Sequence, residues 1–307
     1  VTVPGAVDGW FALHERWGRL TMSDVLKAPI SYANNGFPLT PVIAAGFESN
    51  RNRFEAVASM IEERDNATKT YFPGGVAPKS GAVFKNPDLA ETLTTLAKHG
   101  RRAFYEGSIA RAMVDYFESI DADLTLDDLA THRGEWVEPR GVDYHGYTLY
   151  ELPPNGQGFA ALIMLNILKQ VDLRRFDRGS PELFHFMVEA KRLAFEAMAG
   201  TFADPAYSTI PIDALLSDEF AKRQFSRIRP DQVIAPQHLA VSLEGEGDTT
   251  YLTVVDGEGM MVSLIQSNYR GMGSGLVPTG LGFMLQDRGE LFSLDPSHPN
   301  VYAPGKR

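Results

Sequence analysis

Gly247-Asp248-Thr249-Thr250-Tyr251-Leu252-Thr253-Val254-Val255-Asp256 is followed by Gly257-Glu258-Gly259 and then by Met260 to Ser267, and together they carry the clearest strand–turn–strand pattern in the chain. Thr249 to Asp256 is rich in β-branched and aromatic residues, and Tyr251, Thr253 and Val255 alternate as in a strand. Gly257-Glu258-Gly259 turns the chain, and Met260 to Ser267 predicts a second strand, so Thr249 to Ser267 reads as a β-hairpin. Just before it, Glu244, Glu246 and Asp248 lie among glycines without an apolar period, which predicts an exposed acidic loop.

Toward the N-terminus the chain reads as mostly helical. Trp10, Leu13 and Trp17 recur at helical spacing after Pro4-Gly5. Ser23 reads as the N-cap of a helix carrying Val25, Leu26 and Ile30 and ended by Asn34-Asn35-Gly36. Asn86-Pro87 opens a helix with Leu89, Leu93 and Leu96 that Gly100 closes. Phe104 to Phe117 predicts another helix, and Thr125 caps a short acidic turn at Asp127 and Asp128. Tyr144 to Leu152 alternates as one strand, Pro153 to Gly158 is a loop, and helices follow over Phe159 to Val171 and Pro181 to Phe202.

The composition of the 307 residues, 44% hydrophobic and 22% charged, excludes disordered and collagen-like classes. A chain of this size buries roughly 75% of its unfolded surface, enough for a large core. The net charge of -10 gives no bulk attraction to phosphate backbones or anionic lipid, so the expected partners include no nucleic acid and no membrane. No apolar run reaches the ~18 residues of a membrane span. With no cysteine, disulfides, thiolate metal sites and cysteine nucleophiles are out. Both ends read as cut from a longer chain, and localisation stays open between cytoplasm and periplasm, the cytoplasm being favoured.

The seven histidines, His14, His99, His132, His145, His185, His238 and His298, show no ligand spacing and read as surface or capping residues, so neither metal nor cofactor is expected. Gly273-Ser274-Gly275 is too short for a nucleophile elbow. Gly271, Gly273 and Gly275 lack the Gly-Lys-Thr of a phosphate loop, and Pro278 denies them the helix a dinucleotide site needs. Thr249 remains. A strand-opening threonine is ordinary in itself. One chemistry needs it there: a threonine hydroxyl attacks the peptide bond before it, the chain breaks, and the freed α-amine, with a pKa near 8, serves as base for the same hydroxyl.

The segment Gly247 to Asp256 resembles the processing site of the γ-glutamyltranspeptidase family, whose small subunit begins Thr-Thr-x-x-Ser/Thr-Val-Val-Asp. The resemblance extends along almost the whole chain. Pro4-Gly5-Ala6-Val7-Asp8-Gly9 is similar to the family's Pro-Gly-x-Val-x-Gly, and Phe104-Tyr105-Glu106-Gly107 to its Phe-Tyr-x-Gly. Pro153-Pro154 with Gly156 and Gly158 resembles its Pro-Pro-x-Ser-x-Gly loop, and Asp204-Pro205 its Asp-Pro. The resemblance implies an α+β fold, the αββα four-layer sandwich of the N-terminal-nucleophile hydrolases. It also implies a large-subunit part (1–248), mainly helical, and the start of a small subunit (249–307), both from one precursor, with further dimerisation left open.

By the same resemblance Asp248-Thr249 is the cleavage site, Thr249 the nucleophile, and Ser267 the hydroxyl that bonds it, where the family has threonine. Tyr269 falls on a family asparagine, with Asn268 beside it. Arg288 falls on the family's glutamine and Leu291 on the aspartate that holds the substrate amine, so that carboxylate is missing unless Glu290 or Asp287 replaces it. Arg288, Glu290, Tyr269 and Asn268 are the expected substrate-binding residues. The carboxylate-gripping arginine and the oxyanion glycines would lie before Val1 and after Arg307. These departures look like the branch with oxamate amidohydrolase and acylase-like members. The expected function is self-processing followed by acyl transfer or hydrolysis of γ-glutamyl-type amides, a small-molecule substrate. The alternatives are an amidohydrolase or acylase on a small carboxylate-bearing amide, with Arg288 holding the carboxylate, and an unprocessed binding homologue.

Overall fold

The computed structural model describes residues 1–234 and 247–306, with side chains throughout except at 247 and 248. Within these residues the order is α1 (Ala6–Trp17), α2 (Met22–Asn35), β1 (Phe37–Pro38), α3 (Pro41–Ala56), α4 (Asp65–Tyr71), β2 (Val83–Phe84), α5 (Pro87–His99), α6 (Arg101–Tyr105), α7 (Ser108–Ser119) and α8 (Leu126–Thr131). Then come β3 (Arg140–Tyr144), β4 (Tyr147–Glu151), α9 (Phe159–Leu168), α10 (Pro181–Ala199), α11 (Ile212–Leu215), α12 (Asp218–Phe225), β5 (Gly247–Val255) and β6 (Met261–Arg270).

Packing divides the chain into two compact units, and each holds residues from both sides of Thr249. The expected division at 248/249 is one of processing and is a different cut. The first unit joins Val1–Gly134 to the described part of 244–290. Its main core gathers Leu93 and Leu96 of α5, Phe104 and Tyr105 of α6 and Met113 and Phe117 of α7, against Leu276, Leu281 and Leu285. The returning segment is also tied by polar contacts: the Asn86 amide donates to Gly282 O at 2.7 Å and the Thr92 hydroxyl to Leu281 O at 2.9 Å. Gly282, at φ +71°, is required there, because a Cβ would fall 2.3 Å from Leu89 N.

Local chemistry accounts for the helix ends. Asn86 accepts from Leu89 N at 3.0 Å, Pro87 fills the first helical position, and Gly100 at φ +68° ends α5. Thr125 and Asp128 form a reciprocal capping box. The cap of α2 is Thr21, not Ser23: Thr21 accepts from Asp24 N at 3.1 Å, while the Ser23 hydroxyl donates to Ala97 O at 3.0 Å and so ties α2 to α5. The helix expected over Phe104 to Phe117 is two helices. The chain passes so close to α6 at Gly107 that a Cβ would meet Ala103 Cα at 2.8 Å, and α7 starts afresh at Ser108.

The second unit comprises the described parts of 135–243 and 291–307. Its core is Phe159, Leu162, Ile163 and Ile167 of α9 against Phe186, Ala190, Leu193 and Ala194 of α10. The strand expected over Tyr144 to Leu152 is one arm of a hairpin, β3 paired antiparallel with β4 from Tyr144↔Tyr147 to Arg140↔Glu151. His145 at φ +51° and Gly146 at φ +86° make the two-residue turn that twists the strands compatibly. The buried Glu189 carboxylate is bonded by Arg192 and by Ile234 N at 2.8 Å. The acidic loop expected at Glu244 and Glu246, and His238, lie outside the described residues.

Candidate active site

β5 and β6 form an antiparallel hairpin whose register runs from Val255↔Met261 to Thr249↔Ser267. The intervening turn is closed by Asp256, whose carboxylate accepts from Glu258 N and Met260 N, both at 2.9 Å. Beyond Thr249 the register shifts, since Gly247 pairs with Arg270. Two steps along β5 are thus matched by three along β6, a bulge that leaves Asn268 and Tyr269 opposite Asp248. The Asp248–Thr249 peptide bond therefore lies where the ladder is broken.

Thr249 Oγ1 donates to Ser267 Oγ at 2.9 Å. The same Ser267 oxygen accepts from Tyr269 N, also at 2.9 Å. Tyr269 itself has φ +80°, a left-handed conformation that strains a non-glycine residue by about 1–3 kcal/mol. Beside the pair, the Trp10 indole of α1 donates to the Gln266 side chain at 2.9 Å, fixing β6 to α1 one residue before Ser267.

The residues expected to bind substrate are placed as follows. Arg288 lies with its guanidinium 5.0 Å from the Tyr269 ring centroid, a cation–π stack. It is exposed and pairs with no carboxylate among the described residues. Its backbone N–H donates to the Gln286 side chain, whose amide in turn donates to Thr2. Burial pushes the Tyr269 phenol upward, reinforced by the Glu290 charge, against the opposing pull of Arg270 and Arg288. Glu290 is ion-paired with Arg270. Asp287 is occupied as well, facing Arg53 at 3.4 Å and accepting from Arg270 N at 3.1 Å. Asn268 donates its side-chain amide to Met272 O at 3.5 Å, and its backbone carbonyl accepts from Asp287 N at 3.2 Å. Thr249, Ser267, Tyr269 and Arg288 are thereby linked contact by contact, whereas Glu290, Asp287 and Asn268 are engaged with the chain itself.

Arg53 and Asn50 of α3 escaped sequence reasoning. Asn50 Oδ1 accepts from Met272 N at 2.8 Å, and Arg53 donates to Arg270 O and Gly273 O at 3.2 and 2.7 Å. More than 200 residues separate the partners, and no local pattern signals the contact. Among the described residues, no group of three His, Asp or Glu is gathered for a metal ion, and no helix is long and apolar enough to cross a membrane.

The Gamma-glutamyltranspeptidase family model matches residues 1–307. The chain is 39% identical over 310 residues to the glutathione hydrolase-like YwrD proenzyme of Bacillus subtilis (strain 168), covering all of this chain and 56% of that protein. It is 33% identical to the oxamate amidohydrolase proenzyme of Klebsiella pneumoniae, again over the whole chain and 57% of the relative. Among solved structures, the cephalosporin acylase from Bacillus halodurans superposes with a TM-score of 0.88 at 38% identity, over 100% of this chain and 55% of that one. The chain thus spans about half the length of the relatives it matches. It belongs to the γ-glutamyltranspeptidase family and has the α+β fold of that family's αββα N-terminal-nucleophile hydrolases.

Proposed function

We propose that the protein is a self-processing amidohydrolase whose nucleophile is Thr249 and whose substrate is an amide with a carboxylate on its acyl part. The observation that carries this reading is the Thr249–Ser267 hydroxyl pair at the bulge, next to the Asp248–Thr249 bond. In processing, Thr249 Oγ attacks the Asp248 carbonyl carbon, the C–N bond breaks, and the hydroxyl proton ends on the departing amine. Water then cleaves the resulting ester, leaving a carboxylate on Asp248 and a free α-amine on Thr249. In turnover that amine takes the hydroxyl proton as Oγ attacks the substrate, the substrate's amine leaves, and water releases the acyl group. The engagement of Glu290 and Asp287 favours a carboxylate over an ammonium as the recognised group, with Arg288 as its partner. The relatives named oxamate amidohydrolase and cephalosporin acylase agree with an amide substrate.

A second reading, hydrolysis or transfer of γ-glutamyl groups, is favoured by the name of the YwrD relative. An unprocessed binding homologue is the third. Gel electrophoresis and N-terminal sequencing of the full protein test the proposal. The expected small fragment begins Thr-Thr-Tyr-Leu, and Thr249→Ala stays in one piece. Any other new terminus, or an uncut wild type, overturns the assignment of Thr249.

A further inference from the structure

We propose that Arg53 is a positioning residue for the Thr249 hydroxyl, acting through the bulge of β6. The inference rests on the reading of Thr249 as nucleophile. Ser267 Oγ is bonded by two donors, Thr249 Oγ1 and Tyr269 N, and the second belongs to the bulge residue Tyr269, whose backbone is left-handed. A tyrosine leaves that conformation unless its surroundings hold it there. Arg53 supplies the hold on the C-terminal side. One Nη donates to Arg270 O at 3.2 Å and Gly273 O at 2.7 Å, so it grips both ends of the turn that follows Tyr269. The other Nη faces Asp287 at 3.4 Å, and Asp287 itself accepts from the backbone N–H of Arg270. Asn50, one helical turn before Arg53 on α3, accepts from Met272 N in the same turn.

The construction is specific. Arg53 Nε is buried without a hydrogen-bond partner among the described residues, so both Nη groups carry the whole contact. Gly271 has no room for a side chain, since a Cβ would fall 2.0 Å from Asn50 Oδ1. The turn is thus pressed against α3, and lysine, with one ammonium on a flexible stem, can reach only part of the set of acceptors.

The test compares Arg53→Met, Arg53→Lys and Asp287→Asn in the full protein, with active sites counted from the yield of the new Thr249 terminus. Per active site, Arg53→Met should lose about tenfold in kcat, as expected for one misdirected hydrogen bond, with KM within about twofold. Arg53→Lys should recover part of that loss. A merely structural role would lower the melting temperature or the yield of processed sites and leave kcat per site unchanged, and that result overturns the inference. Where Arg53→Met fails to fold, the same split is read from Arg53→Lys and Asp287→Asn, and unchanged kcat in both is equally fatal. Thr249→Ala, assayed alongside, separates the two claims. If it retains turnover, the reading of Thr249 falls and takes the inference with it. If it is inactive while the Arg53 and Asp287 variants keep wild-type kcat, only the clamp falls.

Discussion

Thr249 and Ser267 face each other across the β5–β6 ladder, eighteen residues apart in sequence, with their hydroxyl oxygens 2.9 Å apart. The hairpin turn fixes this pairing, since the Asp256 carboxylate closes the connection and the register then counts back to Thr249. A nucleophile held on a paired strand needs little reorganisation before it attacks.

Ser267→Ala is expected to lower kcat with little change in KM, because the Ser267 oxygen orients Thr249 Oγ1 and meets Tyr269 at its backbone N–H, not at its ring. A lost orienting hydrogen bond costs about 1–3 kcal/mol, or roughly 5- to 150-fold in rate. Ser267→Thr keeps the hydroxyl and should retain most of the activity. Steady-state kinetics on processed enzyme checks both, and a raised KM at constant kcat would move Ser267 to substrate contact.

The hairpin was legible because β-branched alternation and a Gly-x-Gly turn are local signals, whereas the Thr249–Ser267 pair was legible only through the family resemblance. The caps at Asn86 and Thr125 were legible, like the hairpin, from local signals. What sequence could not supply lay in tertiary contacts and in turns written with unusual residues. The His145-Gly146 turn hid inside an alternating run, and Gly107 broke a helix through a close approach, not a missing propensity. The bulge at Asn268–Tyr269, and the engagement of Glu290 by Arg270, depend on side chains meeting across a fold that no spacing rule encodes.

Asp8 gives the first unit an acid-sensitive joint. Burial favours the neutral carboxyl, but the bonds from Arg101 and from Gly134 N–H, with the charges of Arg101 and His132, outweigh it and hold Asp8 below its ordinary value. A depressed carboxyl stabilises the fold above the unfolded pKa of about 3.9, and the contribution is lost as pH falls through the lower folded value. Urea unfolding of wild type and Asp8→Asn should therefore differ by about 3 kcal/mol at pH 7, with the gap closing below about pH 4. A gap that is constant down to pH 3 would remove the ion pair as the cause.

Gly282→Ala is expected to destabilise the protein by more than about 1 kcal/mol. Its left-handed backbone strains any side chain, and the new methyl would press on Leu89 N and Asn86 Oδ1 at the start of α5. Gly74→Ala is the matched control, since Gly74 has a similar φ of +72° and open space around it. Thermal melts of the two variants separate strain from crowding: equal losses would mean that the contact with α5 contributes nothing.

Substrate choice follows from which charges are already engaged. Leu291, which is exposed, offers no carboxylate to an α-ammonium, Glu290 is paired with Arg270, and Asp287 lies between Arg53 and the Arg270 backbone. An ammonium desolvated without a partner costs several kcal/mol, so kcat/KM on γ-glutamyl compounds should fall about 100-fold or more below that on amides bearing a carboxylate and no nearby amine. Arg288→Ala should weaken the carboxylate substrates selectively, and Arg288→Lys should restore only part, because an ammonium cannot grip a carboxylate bidentately or stack on Tyr269 as a guanidinium does. Glu290→Gln should leave the low γ-glutamyl activity where it was, since the wild-type carboxylate is engaged by Arg270. Efficient hydrolysis of glutathione by the wild type, abolished in Glu290→Gln, would show that Glu290 leaves Arg270 to receive the substrate amine, and would decide for the γ-glutamyl reading.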